Sequence, residues 1–250
     1  PFITGPPFVR ALSELAAAAK LGPKDAMSLT PTDATRLLLS GHAAMAIGWP
    51  SRAVELPSES DIATAKVPIA VAEVPGASDA YNPRHNAWEH RWNDETTSIS
   101  LRGMSGRVGS VVRGSDSAEP AFHFLTWLAS KRWSSEVLPA SSAITMFRQS
   151  QQDDPMPWAG PTLSAGAAKQ YSQVLTAALR QPEAIWMPRI PGEAQYMAAL
   201  DEAVYAALAG KQSAQQALDD AAAKWRQITA RLGREQQLEA YRRSLKAAQQ

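Results

Sequence analysis

The stretch that decides the fold interpretation is Leu37-Leu38-Leu39-Ser40-Gly41-His42-Ala43-Ala44-Met45-Ala46-Ile47-Gly48-Trp49. Just before it, Thr30-Pro31-Thr32-Asp33 is typical of a helix start, with a threonine cap, proline at the first helical position and an acid three residues after the cap. The leucines continue this helix, and Gly41 is a typical stop. The apolar run 43–47 then predicts a short buried strand. Trp49 is therefore expected at a strand end, where crevices open in α/β folds.

The rest of the chain predicts mostly helices. Apolar spacing of three and four residues predicts them over the opening stretch to Ala19 and over residues 115–128, 163–178, 194–208, 215–232 and a charged tail to about 247. Two further strands are predicted at 67–71 and 108–112, and residues 76–107 read as a long irregular segment. Three short strands are too few for a complete buried sheet. We therefore expect the 250 residues to be the C-terminal part of a longer protein.

Composition excludes several classes of protein. The net charge of +1 argues against a nucleic-acid-binding protein, which normally carries a basic excess. The absence of cysteine excludes disulfides, thiolate nucleophiles and cysteine-ligated metals. No apolar run reaches the length that a membrane-spanning helix needs.

Catalytic motifs are missing from the sequence. No nucleophile elbow occurs, and Ser115 stands where a P-loop needs lysine. His85 and His90 lie near Glu89, but a solvated polar loop is favoured over a metal site because their spacing of five separates them on a helix. Asp153-Asp154 precedes Pro155 and reads as a turn. We expect no enzyme activity, no cofactor and no metal.

The aromatic residues are more informative. Trp127, Trp133 and Trp225 lie on helical patterns and are predicted to pack in the core. Trp49, taken alone, favours core packing over a flat surface for stacking against a sugar ring.

Four segments in order resemble family 1 extracellular solute-binding proteins, the maltose-binding-like receptors of ABC sugar importers. Residues 37–49 resemble the family segment F/L-x-S-G-x-A-A-M-x-x-G-x-W. Residues 65–76 resemble an interlobe strand ending in Pro-Gly, and residues 109–128 resemble a strand and helix with the pattern S-x-x-x-x-A-x-x-F-L-x-x-L. Residues 187–222 resemble the closing helices. Residues 77–107 depart from the family, being longer and more polar than its usual link.

The resemblance implies an α/β fold of two lobes, the type II periplasmic-binding-protein-like fold, here helix-rich and without its N-terminal half. Residues 1–64 would form the first part of lobe two, 65–71 an interlobe strand and 72–138 part of lobe one. Residues 139–145 would cross back, and 146–250 would supply the C-terminal helices of lobe two.

The resemblance also implies a function and a set of ligand-binding residues. The protein would be the substrate-binding component of an ABC carbohydrate importer, periplasmic or extracellular, delivering its sugar to the permease subunits in the membrane. Any membrane association of its own would need an N-terminal anchor that this chain lacks. Trp49 falls where relatives carry a sugar-stacking tryptophan, and Tyr196 falls at or beside another stacking position, with Met197 as the adjacent candidate. Arg107 and Arg189 are the candidate donors to hydroxyls or a carboxylate, with structural salt bridges as the alternative role.

Two other classes of protein remain open from the sequence. A carbohydrate-active enzyme would need two carboxylates across a cleft, with Asp153, Asp154 and Glu193 as the candidates. A helical scaffolding protein without a small-molecule ligand would bury Trp49 and Tyr196 in its core.

Overall fold

The structure is a computed structural model and describes residues 2–48, 69–90, 100–102, 109–137, 145–159, 163–181, 184–186 and 189–247. The part of the chain that the structure describes is helix-rich, 62% helical, as the sequence predicts. The α-helices of the described residues are α1 (Pro6–Ala19), α2 (Pro31–Leu39), α3 (Ala118–Leu128), α4 (Lys131–Val137), α5 (Gln149–Asp153), α6 (Met156–Ala159), α7 (Ala165–Arg180), α8 (Glu193–Leu208), α9 (Ala214–Leu232) and α10 (Arg234–Ala247). The strands are β1 (Asp79–Asn82), β2 (Ala87–His90), β3 (Ser100–Arg102) and β4 (Ala184–Trp186), paired as β1 with β2 and β3 with β4. None of these helices combines the length and the apolar content that crossing a bilayer requires.

The helix starts follow the local capping chemistry that the sequence indicates. Thr30 accepts a hydrogen bond from the backbone N–H of Asp33, and the Asp33 carboxylate accepts one from the Thr30 backbone N–H, so the predicted cap of α2 is confirmed. The Thr30 hydroxyl also donates to the Asp33 carboxylate at 2.6 Å, and this bond, followed by the one from the Thr30 backbone N–H and by Arg36, holds the pKa of Asp33 below its ordinary value. Ser213 caps α9 in the same way through Gln216.

The predicted strands are wrong in the segments that the structure describes. Residues 43–48, 69–76 and 109–112 form no strand, and Met45 and Ile47 are 87% and 81% exposed. A strand needs a neighbouring strand to satisfy its backbone N–H and C=O groups, and the described residues place none beside these apolar runs.

Strands form instead inside the stretch predicted to be irregular, and that prediction is also wrong. β1 and β2 are antiparallel, with Tyr81 opposite Trp88 and their rings in edge contact at 5.4 Å. The turn between them is built by asparagines: Asn82 accepts from the Arg84 N–H at 2.9 Å, and Asn86 adopts a positive φ of 53°. Asparagine tolerates both roles because its short side chain hydrogen-bonds locally.

The chain divides into two compact units. Unit 1 comprises Pro1–Ser28, Ala77–Glu95 and Trp186–Gln250, and unit 2 comprises Leu29–Gly76 and Thr96–Ile185. In unit 1, α1, α8 and α9 pack around small side chains. Its buried core consists of Ile3, Leu12, Ala203, Ala207, Ala217, Leu218, Ala221 and Ala222. Alanines at spacings of four on α8 and α9 let the helix backbones approach closely, which explains the alanine-rich sequence.

Unit 2 has its own small core. Trp158 and Met146 are its largest fully buried side chains, and Tyr171 packs against Trp158 with ring centroids 4.6 Å apart. Burial raises the pKa of Tyr171 to about 12, and the nearby Thr145 side chain acts in the opposite direction.

The core prediction for Trp127 is wrong. Its side chain is exposed and lies between the rings of Phe124 and Trp133 on the surface of α3 and α4. The residue of α3 that packs inward is instead Leu125. Its side chain lies so close to Gly109 that a Cβ at position 109 would overlap it. Trp133 and Trp225 are half-buried.

Candidate functional site

The described part of the predicted ligand site lies where the chain enters α8. Gly192 is the N-cap residue and has φ +84°, a conformation that favours glycine. A Cβ at this position would overlap Leu232 Cδ1 and would lie 3.5 Å from Ile228 Cγ2. The end of α9 therefore packs directly against the entry of α8, and this fixes the course of the chain between Arg189 and Tyr196.

Tyr196 occupies the first turns of α8 as a buried residue, 7% exposed. Its hydroxyl lies 2.8 Å from Thr229 Oγ1 and accepts a hydrogen bond from Gln237 Nε2 at 2.9 Å. Trp225 Nε1 donates to the Tyr196 carbonyl at 2.8 Å, and the two rings meet edge to face. This network joins α8, α9 and α10. In this structure the Tyr196 ring serves packing, and its contact with a sugar stays a prediction.

Gln237 completes the network by donating a second hydrogen bond to the Pro191 carbonyl at 2.9 Å. It is buried although it is a polar residue on a charged helix. Sequence reasoning missed both Thr229 and Gln237. The available signal was Thr229 four residues after Trp225, a polar residue beside the apolar stripe of α9.

Of the remaining predicted ligand residues, the two that the structure describes are less buried than Tyr196. Met197 is half-buried and Arg189 is exposed, so both retain surface at the entry of α8. Trp49 and Arg107 lie outside the described residues. Three of the five predicted residues, Arg189, Tyr196 and Met197, therefore lie in one short described segment of unit 1, where their positions in the sequence already put them.

A second polar cluster joins the β1–β2 hairpin to α1. His90 Nδ1 lies 2.8 Å from Asp79, Arg10 lies 3.4 Å from the same carboxylate, and the Arg10 guanidinium sits 4.5 Å from the Trp88 ring centre. The hydrogen bond with His90, followed by that with Arg10, holds the pKa of Asp79 below its ordinary value. His85 pairs instead with Glu89 at 3.3 Å. Among the described residues, no group of three or more His, Asp or Glu side chains is placed to hold a metal ion.

The three carboxylates considered for catalysis, those of Asp153, Asp154 and Glu193, lie at the ends of helices. Asp153 ends α5 and accepts a hydrogen bond from Gln149 Nε2 at 3.1 Å, and Asp154 is the C-cap residue that follows it. Glu193 lies in the first turn of α8, where a negative charge complements the helix dipole.

No protein-family model matches the chain, and no curated protein is significantly similar to it.

The polar network around Tyr196 gives a direct test of its packing role. We expect Tyr196→Phe to lower the free energy of unfolding by about 1–3 kcal/mol, because Thr229 and Gln237 lose a buried partner. The matched control is Tyr205→Phe on the same helix, where the side chain is exposed and the expected change is within about 0.5 kcal/mol. Urea unfolding followed by circular dichroism measures both. Equal stability of the two variants would contradict the network.

Proposed function

We propose that this protein is the substrate-binding component of an ABC carbohydrate importer, which captures a sugar between two lobes without breaking a bond. The observation that carries the proposal is the order of the four resembling segments, above all residues 37–49, which end in Gly48-Trp49. The captured sugar would pass to the permease subunits of the membrane, which assigns the protein to the periplasm or the extracellular face.

Two features of the structure support this proposal. The helices α2, α3, α8 and α9 fall within three of the resembling segments or directly beside them. Each compact unit also draws on separate stretches of the chain. A receptor with two lobes needs a chain that passes between them more than once, and it closes when the ligand contacts both.

The proposed ligand contacts combine a flat apolar surface with hydrogen-bond donors. Trp49 supplies the surface for the C–H face of a sugar ring, and Arg189 and Arg107 supply paired N–H donors for hydroxyls or a carboxylate. At the entry of α8, Met197 and Arg189 retain exposed surface for such contacts. Tyr196 holds this segment in place through its bonds to α9 and α10.

Trp49→Ala tests the proposal most directly. A saccharide panel identifies the sugar that the full-length protein binds, by calorimetry and by quenching of tryptophan fluorescence. We expect the variant to weaken that binding by about 5- to 150-fold, the range of one aromatic stacking contact on a flat ligand. The melting temperature of the ligand-free protein should stay within about 2 °C, because a cleft side chain contributes little to the fold.

The matched control is Trp127→Ala, since Trp127 is an exposed tryptophan that belongs to no predicted ligand contact. It should leave the affinity unchanged. A Trp49→Ala variant that melts many degrees earlier and still binds sugar normally contradicts the proposal. So does a protein that binds no saccharide of the panel, or one that releases reducing ends from an oligosaccharide.

A further inference from the structure

The C-terminal helix α10 carries an apolar stripe that the described chain leaves open. Leu238, Tyr241 and Leu245 are 43%, 43% and 47% exposed. Their spacing of three and four residues puts all three on one side of the helix. The helix is held at its start by Gln237, which binds Tyr196 and the Pro191 carbonyl. A helix of 14 residues is marginal in water by itself, so a partner along the stripe would stabilise it.

The charges beside the stripe indicate what that partner is. Glu235 and Arg242 are seven residues apart and therefore lie on the same flank of the stripe. Neither forms an ion pair with any residue that the structure describes. Two other charges of the helix, Arg243 and Glu239, pair with each other at 3.8 Å, on the side away from the stripe.

Glu235 and Arg242 become complementary when two copies of α10 pack antiparallel. With the two-fold axis between Leu238 and Tyr241, the leucine of each copy meets the tyrosine of the other. The same flank of each helix then faces its counterpart, so Glu235 of each copy lies near Arg242 of the other, twice per dimer. A parallel pair would set this flank against the opposite flank, where Gln237 is buried in the Tyr196 network and Ser244 carries no charge. The charges thus favour a second copy in the antiparallel orientation.

We propose that α10 is a homodimer interface, in which the stripe of Leu238, Tyr241 and Leu245 packs antiparallel against the same stripe of a second copy. The inference does not depend on the sugar-binding proposal, because its residues and its readout are separate. The contact is short, so dissociation is expected on the order of 0.1–1 mM, in the range of weak and transient interfaces.

The test is sedimentation equilibrium of the full 250-residue chain over that concentration range. We expect the weight-average mass to rise from 26.9 kDa toward twice that value. Glu235→Arg and Arg242→Glu each create two like-charge contacts, so each variant alone should dimerise about 5-fold more weakly or worse. An equimolar mixture of the two variants forms two attractive pairs and should recover the affinity, as should the double variant.

Glu239→Arg and Arg243→Glu are the matched controls, because they change the same charges on the same helix away from the stripe. They should leave the dimer unchanged. Circular dichroism checks that every variant keeps its helix content. A mass of 26.9 kDa at every concentration overturns the proposal, as does a mixture that fails to recover. Binding of the monomer to vesicles of anionic lipid that is lost in Leu238→Ser would also overturn it, since the stripe would then face a membrane.

Discussion

Replacing Trp158 with alanine is expected to lower the free energy of unfolding of unit 2 by about 3–5 kcal/mol, the cost of a large-to-small change in a core. Trp158 is 1% exposed and is the largest fully buried side chain of the described residues. Its ring packs against Tyr171 of α7, and its neighbours in the core include Met146, Ala168 and Leu175. Tyr171, Ala168 and Leu175 all belong to α7, whereas Trp158 belongs to α6, so the cavity left by alanine would separate α6 from α7.

Hydrogen exchange measures this loss where it occurs. Amides of α7 should lose protection by the same free energy, because they open with the core of unit 2. Trp127→Ala in the same unit is the control: its ring is exposed and stacked between Phe124 and Trp133, which limits the expected loss to about 1 kcal/mol. Equal losses in the two variants would show that Trp158 is not the centre of this core.

The helices could be predicted from the sequence because their signals are local. The cap at Thr30 uses residues within three positions and appears in the structure as expected, and the cap at Ser213 has the same local form. The apolar stripe of α9 was predictable for the same reason: Leu218, Ala221 and Ile228 recur at helical spacing and are all buried. Such patterns fix which face of a helix is buried before any partner is known.

The strands could not be predicted in the same way. An apolar run such as 43–47 has the composition of a buried strand, but it becomes one only when a second strand lies beside it. The hairpin at 79–90 shows the converse. Its strands lack an apolar run, with β1 half-buried and β2 exposed, and they form because Asn82 and Asn86 build a turn that brings Tyr81 and Trp88 together.

At the candidate site, too, the sequence predicts what depends on neighbouring residues and misses what depends on distant ones. The sequence places Tyr196 at the start of a helix, which is correct. Its partners Thr229 and Gln237 are 33 and 41 residues further along the chain, and no local pattern joins them to Tyr196. A tyrosine at a helix start is equally compatible with a sugar contact and with a core network, so only tertiary structure reveals the network.

Gly192 is the position where the smallest substitution is expected to have a large effect. Gly192→Ala should lower the free energy of unfolding of unit 1 by about 2–4 kcal/mol, from two separate causes. The first is backbone strain, since a φ of +84° costs an L-residue about 1–2 kcal/mol. The second is overpacking, since the new methyl group would overlap Leu232 Cδ1 and displace the end of α9.

Gly210→Ala separates these two causes within the same unit. Gly210 also has a positive φ, +69°, but a Cβ there meets no atom within 4 Å. It should therefore show the strain alone, about 1–2 kcal/mol. Urea unfolding measures the free energy of unfolding of both variants, and the difference between their losses is the cost of overpacking at position 192. The double variant Gly192→Ala/Leu232→Ala should recover part of that difference, because it removes the Leu232 methyl group that the new Cβ at position 192 overlaps. If Gly192→Ala and Gly210→Ala lose the same stability, the close contact between the entry of α8 and the end of α9 is absent in solution.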